Sequence, residues 1–316
     1  MAYSNYVDTS GLSYCGQEAS EIFAKDVYSL DLRGAGVTLL DGVKAKRKIY
    51  LGKMDDMFQA YSCTFTPDGQ VSLSEDFIEP VAIKVNKEFC RQEFFDSYLV
   101  EQTSMTLAGG IPQSFADWYF VRLRETMAKE YADIAWNGDT GRTGTAKAYL
   151  KVTDGWVKRI NDASGSTKLN GTTFTIDNIL SQVEATIKKG LEIAAANETP
   201  TDNYKVMMNA ADVKLLEMAI GKICCNPISG FNNYVNQNGR IFIFGFEVLP
   251  TMQGRNVIIF GDPRNLVLGF DTYDSHLSYK IIYMMDTTLD DVYRIAAITN
   301  IAIGVVFPET FVISQP

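Results

Sequence analysis

A long helical pattern with an abrupt end constrains the fold of this chain more than any other feature. From about Ser114 to Trp136, apolar side chains recur at helical spacing, which predicts a helix of roughly 30 Å at ~1.5 Å per residue. The residues that follow, Asn137, Gly138 and Asp139, favour turns and left-handed backbone. We therefore predict a long helix that is anchored on both sides and that ends in a structural corner, Trp136-Asn137-Gly138-Asp139.

The segments that flank this helix have the patterns of β-strands. Polar and apolar residues alternate over Gln59–Phe65, Thr66–Gln70 supplies turn residues, and the alternation resumes at Val71–Leu73, which predicts a hairpin. After the helix, Leu277–Met285 is strand-like and Val292–Val306 is a long β-branched run. We predict that this last run is the spine of a sheet laid along the helix.

The middle of the chain, from about residue 144 to 261, has the pattern of an α/β body. One helix is predicted through Ile179 and Leu191, and a second one follows Asn209 as its N-cap. The predicted strands are Tyr204–Met208, Arg240–Leu249 and Asn256–Phe260, and the Asn- and Gly-rich segment Asn226–Gly239 is predicted to be an exposed loop.

Composition excludes several classes of protein. With 316 residues and 46% hydrophobic content the chain can bury a large core, and its net charge of -9 argues against a dedicated nucleic-acid binder, although not against a protein that encloses nucleic acid. No apolar run approaches the ~20 residues that cross a bilayer, and no signal-peptide pattern is present, so we expect no membrane and a cytoplasmic site of synthesis. One basic cluster fits either a solvated face, which is favoured, or a contact with phosphate or an acidic partner: Lys44, Lys46, Arg47, Lys48 and Lys53.

Residues for catalysis are scarce. His276 is the only histidine, and the carboxylates Asp286, Asp290 and Asp291 lie between two strand-like runs, where a solvated turn is the simpler interpretation. The five cysteines have no Cys-x-x-Cys spacing. We therefore predict no catalytic residues, no cofactor and no metal. The alternative, a soluble α/β enzyme, would depend on His276 and the carboxylates Asp286, Asp290 and Asp291.

Residues 1 to about 45 have the pattern of an extended arm. The order of this arm, the hairpin, the long helix ending in Trp136-Asn137-Gly138-Asp139, the α/β body and the ending from Asp262 to Val312 resembles a known family. It is similar to the major capsid proteins of tailed double-stranded DNA bacteriophages, which have the Hong Kong 97-type capsid fold. The resemblance implies an α+β fold with an E-loop tip at Pro67, Asp68 and Gly69. The implied division is an N-arm (1–45), an E-loop (46–95), a peripheral domain with the spine helix (96–145), an axial domain (146–262) and a return to the peripheral domain (263–316).

The resemblance also implies a function. Such proteins self-assemble into pentamers and hexamers that form an icosahedral shell around phage DNA, without sequence-specific binding to it. The implied partners are further copies of the chain, a portal protein and a scaffolding protein, with a decoration protein as another candidate. The implied location is the virion, with assembly in the cytoplasm of the host bacterium. An encapsulin-like nanocompartment shell, which would enclose cargo protein instead of DNA, is an alternative with the same fold.

Overall fold

A computed structural model of the chain describes residues 36–55, 58, 63, 70–90, 115–224, 234–237, 240–270, 280–284 and 288–316. The predicted N-arm up to residue 35, the predicted E-loop tip, His276 and Asp286 lie outside the described residues. Four α-helices are described: α1 (Phe115–Asn137), α2 (Trp156–Asp162), α3 (Ile179–Ala196) and α4 (Ala210–Cys224). No described helix is both long and apolar enough to cross a lipid bilayer.

The described strands form three sheets. In chain order they are β1 (Thr38–Asp41), β2 (Arg47–Asp55), β3 (Gln70–Ile78), β4 (Val81–Cys90), β5 (Thr167–Asn170), β6 (Lys205–Asn209), β7 (Tyr234–Gln237), β8 (Arg240–Ile243), β9 (Phe246–Thr251), β10 (Ile258–Gly261), β11 (Leu266–Phe270), β12 (Lys280–Tyr283), β13 (Val292–Val305) and β14 (Val312–Gln315). One sheet has five strands, one has seven, and β2 and β3 form a two-stranded ribbon.

The long strand β13 is the centre of the five-stranded sheet. Along one edge it pairs antiparallel with β4, and along the other it pairs with β12 and then with β11, which in turn pairs with β1. The helix α1 lies on this sheet, because the hydroxyl of Tyr131 donates hydrogen bonds to the carbonyl oxygens of Gly269 and Asn300, each over 3.3 Å. The predicted long helix, the predicted long strand and their contact are therefore confirmed.

A hairpin that includes the predicted second strand Val71–Leu73 is present, but its first strand is Arg47–Asp55 and not the predicted Gln59–Phe65. Arg47–Asp55 pairs antiparallel with β3, from Arg47 opposite Ile78 to Asp55 opposite Gln70. Apart from Cys63, the segment 59–65 that was predicted to be this strand lies outside the described residues. The strand β4 leaves the hairpin and joins the five-stranded sheet, where the ring of Phe89 stacks on that of Tyr293 with centroids 5.5 Å apart.

The seven-stranded sheet has the order β5-β14-β10-β6-β9-β8-β7. The prediction of one strand over Arg240–Leu249 is wrong, because Phe244 and Gly245 both have positive φ and turn the chain into the antiparallel pair β8 and β9. The predicted loop Asn226–Gly239 is also corrected in part, since Tyr234–Gln237 pairs with β8 and thereby satisfies its backbone groups.

The end of the chain joins this sheet as well. Strand β14 inserts between β5, to which it is parallel, and β10, to which it is antiparallel. Residues 312–315 therefore belong to the seven-stranded sheet and not to the sheet of β13, and the domain range 263–316 stays a prediction. The residue before β14, the fully buried Phe311, packs closely on the end of β10. A Cβ added to Gly261 would lie 2.4 Å from Cδ1 of Phe311.

Both faces of the seven-stranded sheet are buried. Val206 and Phe260 face a core that includes residues of α3 and α4. Met207 and Ile259 face a second core that also contains residues of α1, α2 and the five-stranded sheet. The central strands are therefore apolar at successive positions, and one core joins the predicted axial segment to the predicted peripheral segment.

Candidate assembly surfaces

The corner at the end of α1 is a packed joint. The indole of Trp136 is buried and packs edge-to-face on that of Trp156, with ring centroids 4.8 Å apart. The side-chain amide of Asn137 donates to Asp133 Oδ1 over 2.6 Å and to the carbonyl oxygen of Met252 over 2.7 Å. These contacts attach the end of α1 both to α2 and to the connection between β9 and β10.

Two glycines allow the backbones at this joint to touch. Gly155 N–H donates to Gly138 O over 2.8 Å, and a Cβ on Gly138 would lie 2.2 Å from the carbonyl oxygen of Thr153 and 2.7 Å from that of Ile134. The sequence predicted left-handed backbone here, and that prediction is wrong, because none of residues 137–139 has positive φ. Glycine is required at position 138 by the close approach of two chain segments.

A network of ion pairs and hydrogen bonds lies on the outer side of the joint. Lys158 Nζ lies 2.6 Å from Asp139 Oδ1 and 2.9 Å from Asp154 Oδ1, and both the backbone N–H and the hydroxyl of Thr140 donate to Asp154 Oδ1 over 2.8 Å. The hydrogen bond from Lys158 lowers the pKa of Asp139. Burial raises the pKa of Asp154, but the bonds from Thr140 and Lys158 outweigh it and lower that pKa below its ordinary value. Both carboxylates are therefore held in their charged form.

A second carboxylate, Asp133, ties the following segment to the last turns of α1. It is only 6% exposed and accepts hydrogen bonds from Lys147 Nζ and the Tyr149 hydroxyl, each over 2.8 Å, besides the one from Asn137. Burial raises the pKa of Asp133, but these bonds outweigh it and lower the pKa. Burial and the bond to Asp133 raise the pKa of Tyr149 to about 12. Such fully bonded groups hold structure and are poorly suited to proton transfer near neutral pH.

The base of the ribbon β2–β3 is anchored on the body. Ile78 is 1% exposed and packs with Val43, Val267 and Ala302. It fills a notch above Gly304, where an added Cβ would lie 2.9 Å from Ile78 Cγ1. Among the described strands, β2 and β3 pair only with each other. The adjacent residue Phe77 is 41% exposed, with Lys46 Nζ 4.5 Å from its ring centroid.

The other predicted residues are not brought together with these groups. Pro67, Asp68 and Gly69 lie outside the described residues, within the segment that connects Asp55 to Gln70, so their role as the tip stays a prediction. Asp290 and Asp291 are exposed beside the turn at Leu289, where Val292 N–H donates to Asp290 O. Within the described part of the chain, no three His, Cys, Asp or Glu side chains gather where a metal ion could bind.

Sequence reasoning missed the partners of the corner. No motif marks these partners, Gly155, Asp154 and Lys158, which come after the end of α1 in the sequence. Only folding brings them to Gly138 and Asp139. It also missed an open groove of ≈ 460 Å³ between α3 and the β8–β9 turn, lined by Ile187, Leu191 and Phe244 and by the charged residues Glu184, Lys188 and Glu192.

Comparison with solved structures identifies the architecture. No protein-family model and no curated protein sequence matches this chain. A chain from the procapsid of satellite phage P4, in a structure that includes the size determination protein, superposes with a TM-score of 0.59 at 12% identity over 93% of this chain and 89% of that one. The capsid of Myoviridae phage XM1 gives 0.55 at 12% identity over 90% and 91%, and that of cyanophage P-SCSP1u gives 0.52 at 9% over 88% and 86%. The chain has the Hong Kong 97-type capsid fold.

Proposed function

We propose that this chain is the major capsid protein of a tailed double-stranded DNA bacteriophage. Its copies form pentamers and hexamers that close into an icosahedral shell around the phage genome. Assembly takes place in the cytoplasm of the host bacterium, with portal and scaffolding proteins as partners and a decoration protein as a further candidate. The mature location is the virion.

The observation that carries the proposal is the agreement of nearly the whole chain with capsid structures, at about nine tenths of both chains in each comparison. A match of this extent leaves at most 12% of this chain unaligned in these three comparisons. Fold alone does not establish function. The ribbon adds a physical reason for assembly, because an isolated two-stranded hairpin is marginally stable in water and gains stability by packing on another surface.

We propose a division of roles within the shell. The joint at Trp136–Asp139 holds the helix α1 rigidly against α2 and the β9–β10 connection, so it transmits the orientation of one sheet to the other. The E-loop tip, Pro67-Asp68-Gly69, is the part that reaches a neighbouring copy. The net charge of -9 suits a shell that encloses DNA without gripping it, since tight phosphate binding requires clustered cations over the inner surface.

Electron microscopy of the purified chain, alone and with its scaffold partner, tests the proposal. We expect closed shells or capsomers of fivefold and sixfold symmetry, and particles from infected cells should contain nuclease-resistant DNA. Deleting residues 66–70 should leave the monomer folded and weaken assembly, whereas His276→Ala should assemble like the wild type. Uniform monomers under every assembly condition would contradict the proposal. Shells that hold a cargo protein and no DNA would instead support the encapsulin-like alternative.

A further inference from the structure

The five-stranded sheet separates two apolar clusters. Successive residues of β11 and β13 face opposite sides of this sheet. Leu268 and Ile303 belong to the large core that also contains residues of α1 and α2. Val267 and Ala302 belong to a small cluster on the other side, together with Ile78 at the base of the ribbon β2–β3. The base of the ribbon and the two helices therefore lie on opposite faces of the same sheet.

Both layers touch the sheet at Gly304. On the ribbon side, a Cβ added to Gly304 would lie 2.9 Å from Cγ1 and 3.1 Å from Cδ1 of Ile78, so only glycine lets this side chain approach so closely. On the helix side, the indole N–H of Trp156 donates to the carbonyl oxygen of Gly304 over 3.1 Å and to that of Val267 over 3.2 Å. Val267 lies opposite Gly304 in the β11–β13 pair. One pair of residues thus contacts the ribbon on one face and α2 on the other.

The contacts continue from Trp156 to the corner at the end of α1. The indole of Trp156 packs edge-to-face on that of Trp136, with ring centroids 4.8 Å apart. The next residue, Asn137, donates to the carbonyl oxygen of Met252 over 2.7 Å in the β9–β10 connection. Ile78, Trp156 and Trp136 are each at most 2% exposed. A continuous buried path of contacts therefore runs from Ile78 through Gly304 and Trp156 to Trp136.

Two physical constraints make this path able to transmit a displacement. Protein interiors are close-packed, so a shift of Ile78 against Gly304 is not absorbed by free volume. A buried N–H must keep an acceptor, because leaving it unpaired is costly. The indole of Trp156 must therefore follow the carbonyl oxygens of Gly304 and Val267 when that pair moves. Trp136 packs directly on this indole and must adjust with it.

We propose that the path from Ile78 through Gly304 and Trp156 to Trp136 is a conformational coupling device within one copy of the chain. The position of the ribbon base sets that of the corner, and because coupling is reciprocal in free energy, the corner also stabilises the ribbon base. The device acts in the unassembled chain and goes beyond the proposed function. Its use in a shell, where a change in the ribbon on assembly would reach the corner and the β9–β10 connection, rests on the proposed function. Adjacency alone does not establish coupling, so the coupling itself must be measured.

Two isoleucines of the ribbon supply a matched test from the ribbon side. Ile78→Val and Ile49→Val remove the same group, but Ile78 contacts Gly304, whereas Ile49 only packs partly against the small cluster. The chain has three tryptophans, whose indole signals in nitrogen-15 NMR of the unassembled chain can be assigned with single Trp→Phe variants. Ile78→Val should shift the Trp156 signal and speed exchange of its proton at least ~threefold, and Ile49→Val should change neither. Equal effects of the two variants, or no effect of Ile78→Val, would overturn the proposal.

The reverse direction is tested with Trp156→Phe, which keeps a ring but removes the indole N–H. Hydrogen exchange of the unassembled chain, followed by mass spectrometry, should be at least ~threefold faster over residues 47–49 and 76–78 than in the wild type. The β7–β8 hairpin, at the far edge of the seven-stranded sheet, is the internal control and should be unchanged.

Equal acceleration in the ribbon base and the β7–β8 hairpin would show a general loss of stability and no coupling, and an unchanged ribbon base would also refute the device. If Trp156→Phe does not fold, the comparison of Ile78→Val with Ile49→Val decides alone. Neither experiment requires assembly. A wild-type chain that never assembles therefore contradicts the proposed function only, and absence of coupling contradicts this inference only.

Discussion

Replacing Gly138 by alanine tests the conclusion that the corner depends on close backbone contact. The added Cβ would lie 2.2 Å from Thr153 O and 2.7 Å from Ile134 O, and both atoms belong to the backbone, so the segments must separate. Overpacking of this kind costs ~1–3 kcal/mol, and loss of the hydrogen bond from Gly155 N–H to Gly138 O adds ~0.5–1.5 kcal/mol. We expect the free energy of unfolding to fall by about 2–4 kcal/mol.

The assay is thermal unfolding of the unassembled chain, followed by tryptophan fluorescence because Trp136 and Trp156 pack at the joint. With an unfolding entropy of ~2.1 cal/mol/K per residue, the midpoint should fall by roughly 3–6 °C. Gly221→Ala is the control, since its Cβ would meet no atom within 4 Å on the exposed side of α4, and alanine there should stabilise the helix by up to ~1 kcal/mol. A Gly138→Ala variant as stable as the wild type would refute the assignment of a packed joint.

Two further predictions concern the charges of the corner and the base of the ribbon. Asp139 and Asp154 have pKa values below the ordinary 3.8. The stabilisation that their ionised forms give to the folded chain is therefore present above about pH 4 and is lost as the pH falls through the lower pKa values of the folded state. Chemical unfolding at pH 3 to 5 should show this loss of stability, and the Lys158→Met variant should show less of it. An unchanged pH dependence in that variant would exclude Lys158 as the cause. Ile78→Ala should reduce the free energy of unfolding of the unassembled chain by about 2–4 kcal/mol in urea, and Phe77→Ala by less than ~1 kcal/mol. Equal losses would contradict the finding that Ile78 is buried against the body of the chain while Phe77 is exposed.

Local patterns in the sequence account for the elements that are long or strongly signalled. The apolar spacing of α1 and the β-branched run of β13 depend on neighbours only a few residues away. The N-cap at Asn209 is another case, because its side-chain oxygen accepts from the N–H of Ala211 over 2.9 Å, a bond that the residue type and its position make predictable.

Short strands were less predictable because pairing decides them. Tyr234–Gln237 lies within the Asn- and Gly-rich segment Asn226–Gly239, yet β8 pairs with it and satisfies its backbone groups. The segment Val312–Gln315 has an ordinary strand pattern, but nothing in it specifies that β5 and β10 are its neighbours. The place of β14 in its sheet depends on residues of β5 and β10 that lie far from it in the sequence, which periodicity over a short window cannot include.

The sequence by itself determined the helix, the long strand and the position of the corner, because each depends on the chemistry of consecutive residues. Only the tertiary structure decided which contacts stabilise the corner. Gly138 is required by the backbone of Thr153, the hydrogen bond from Lys158 lowers the pKa of Asp139, and Trp136 is buried because Trp156 folds back on it. The turn residues at 137–139 predicted a change of direction, but the contacts that hold that direction arise only when distant segments pack against each other.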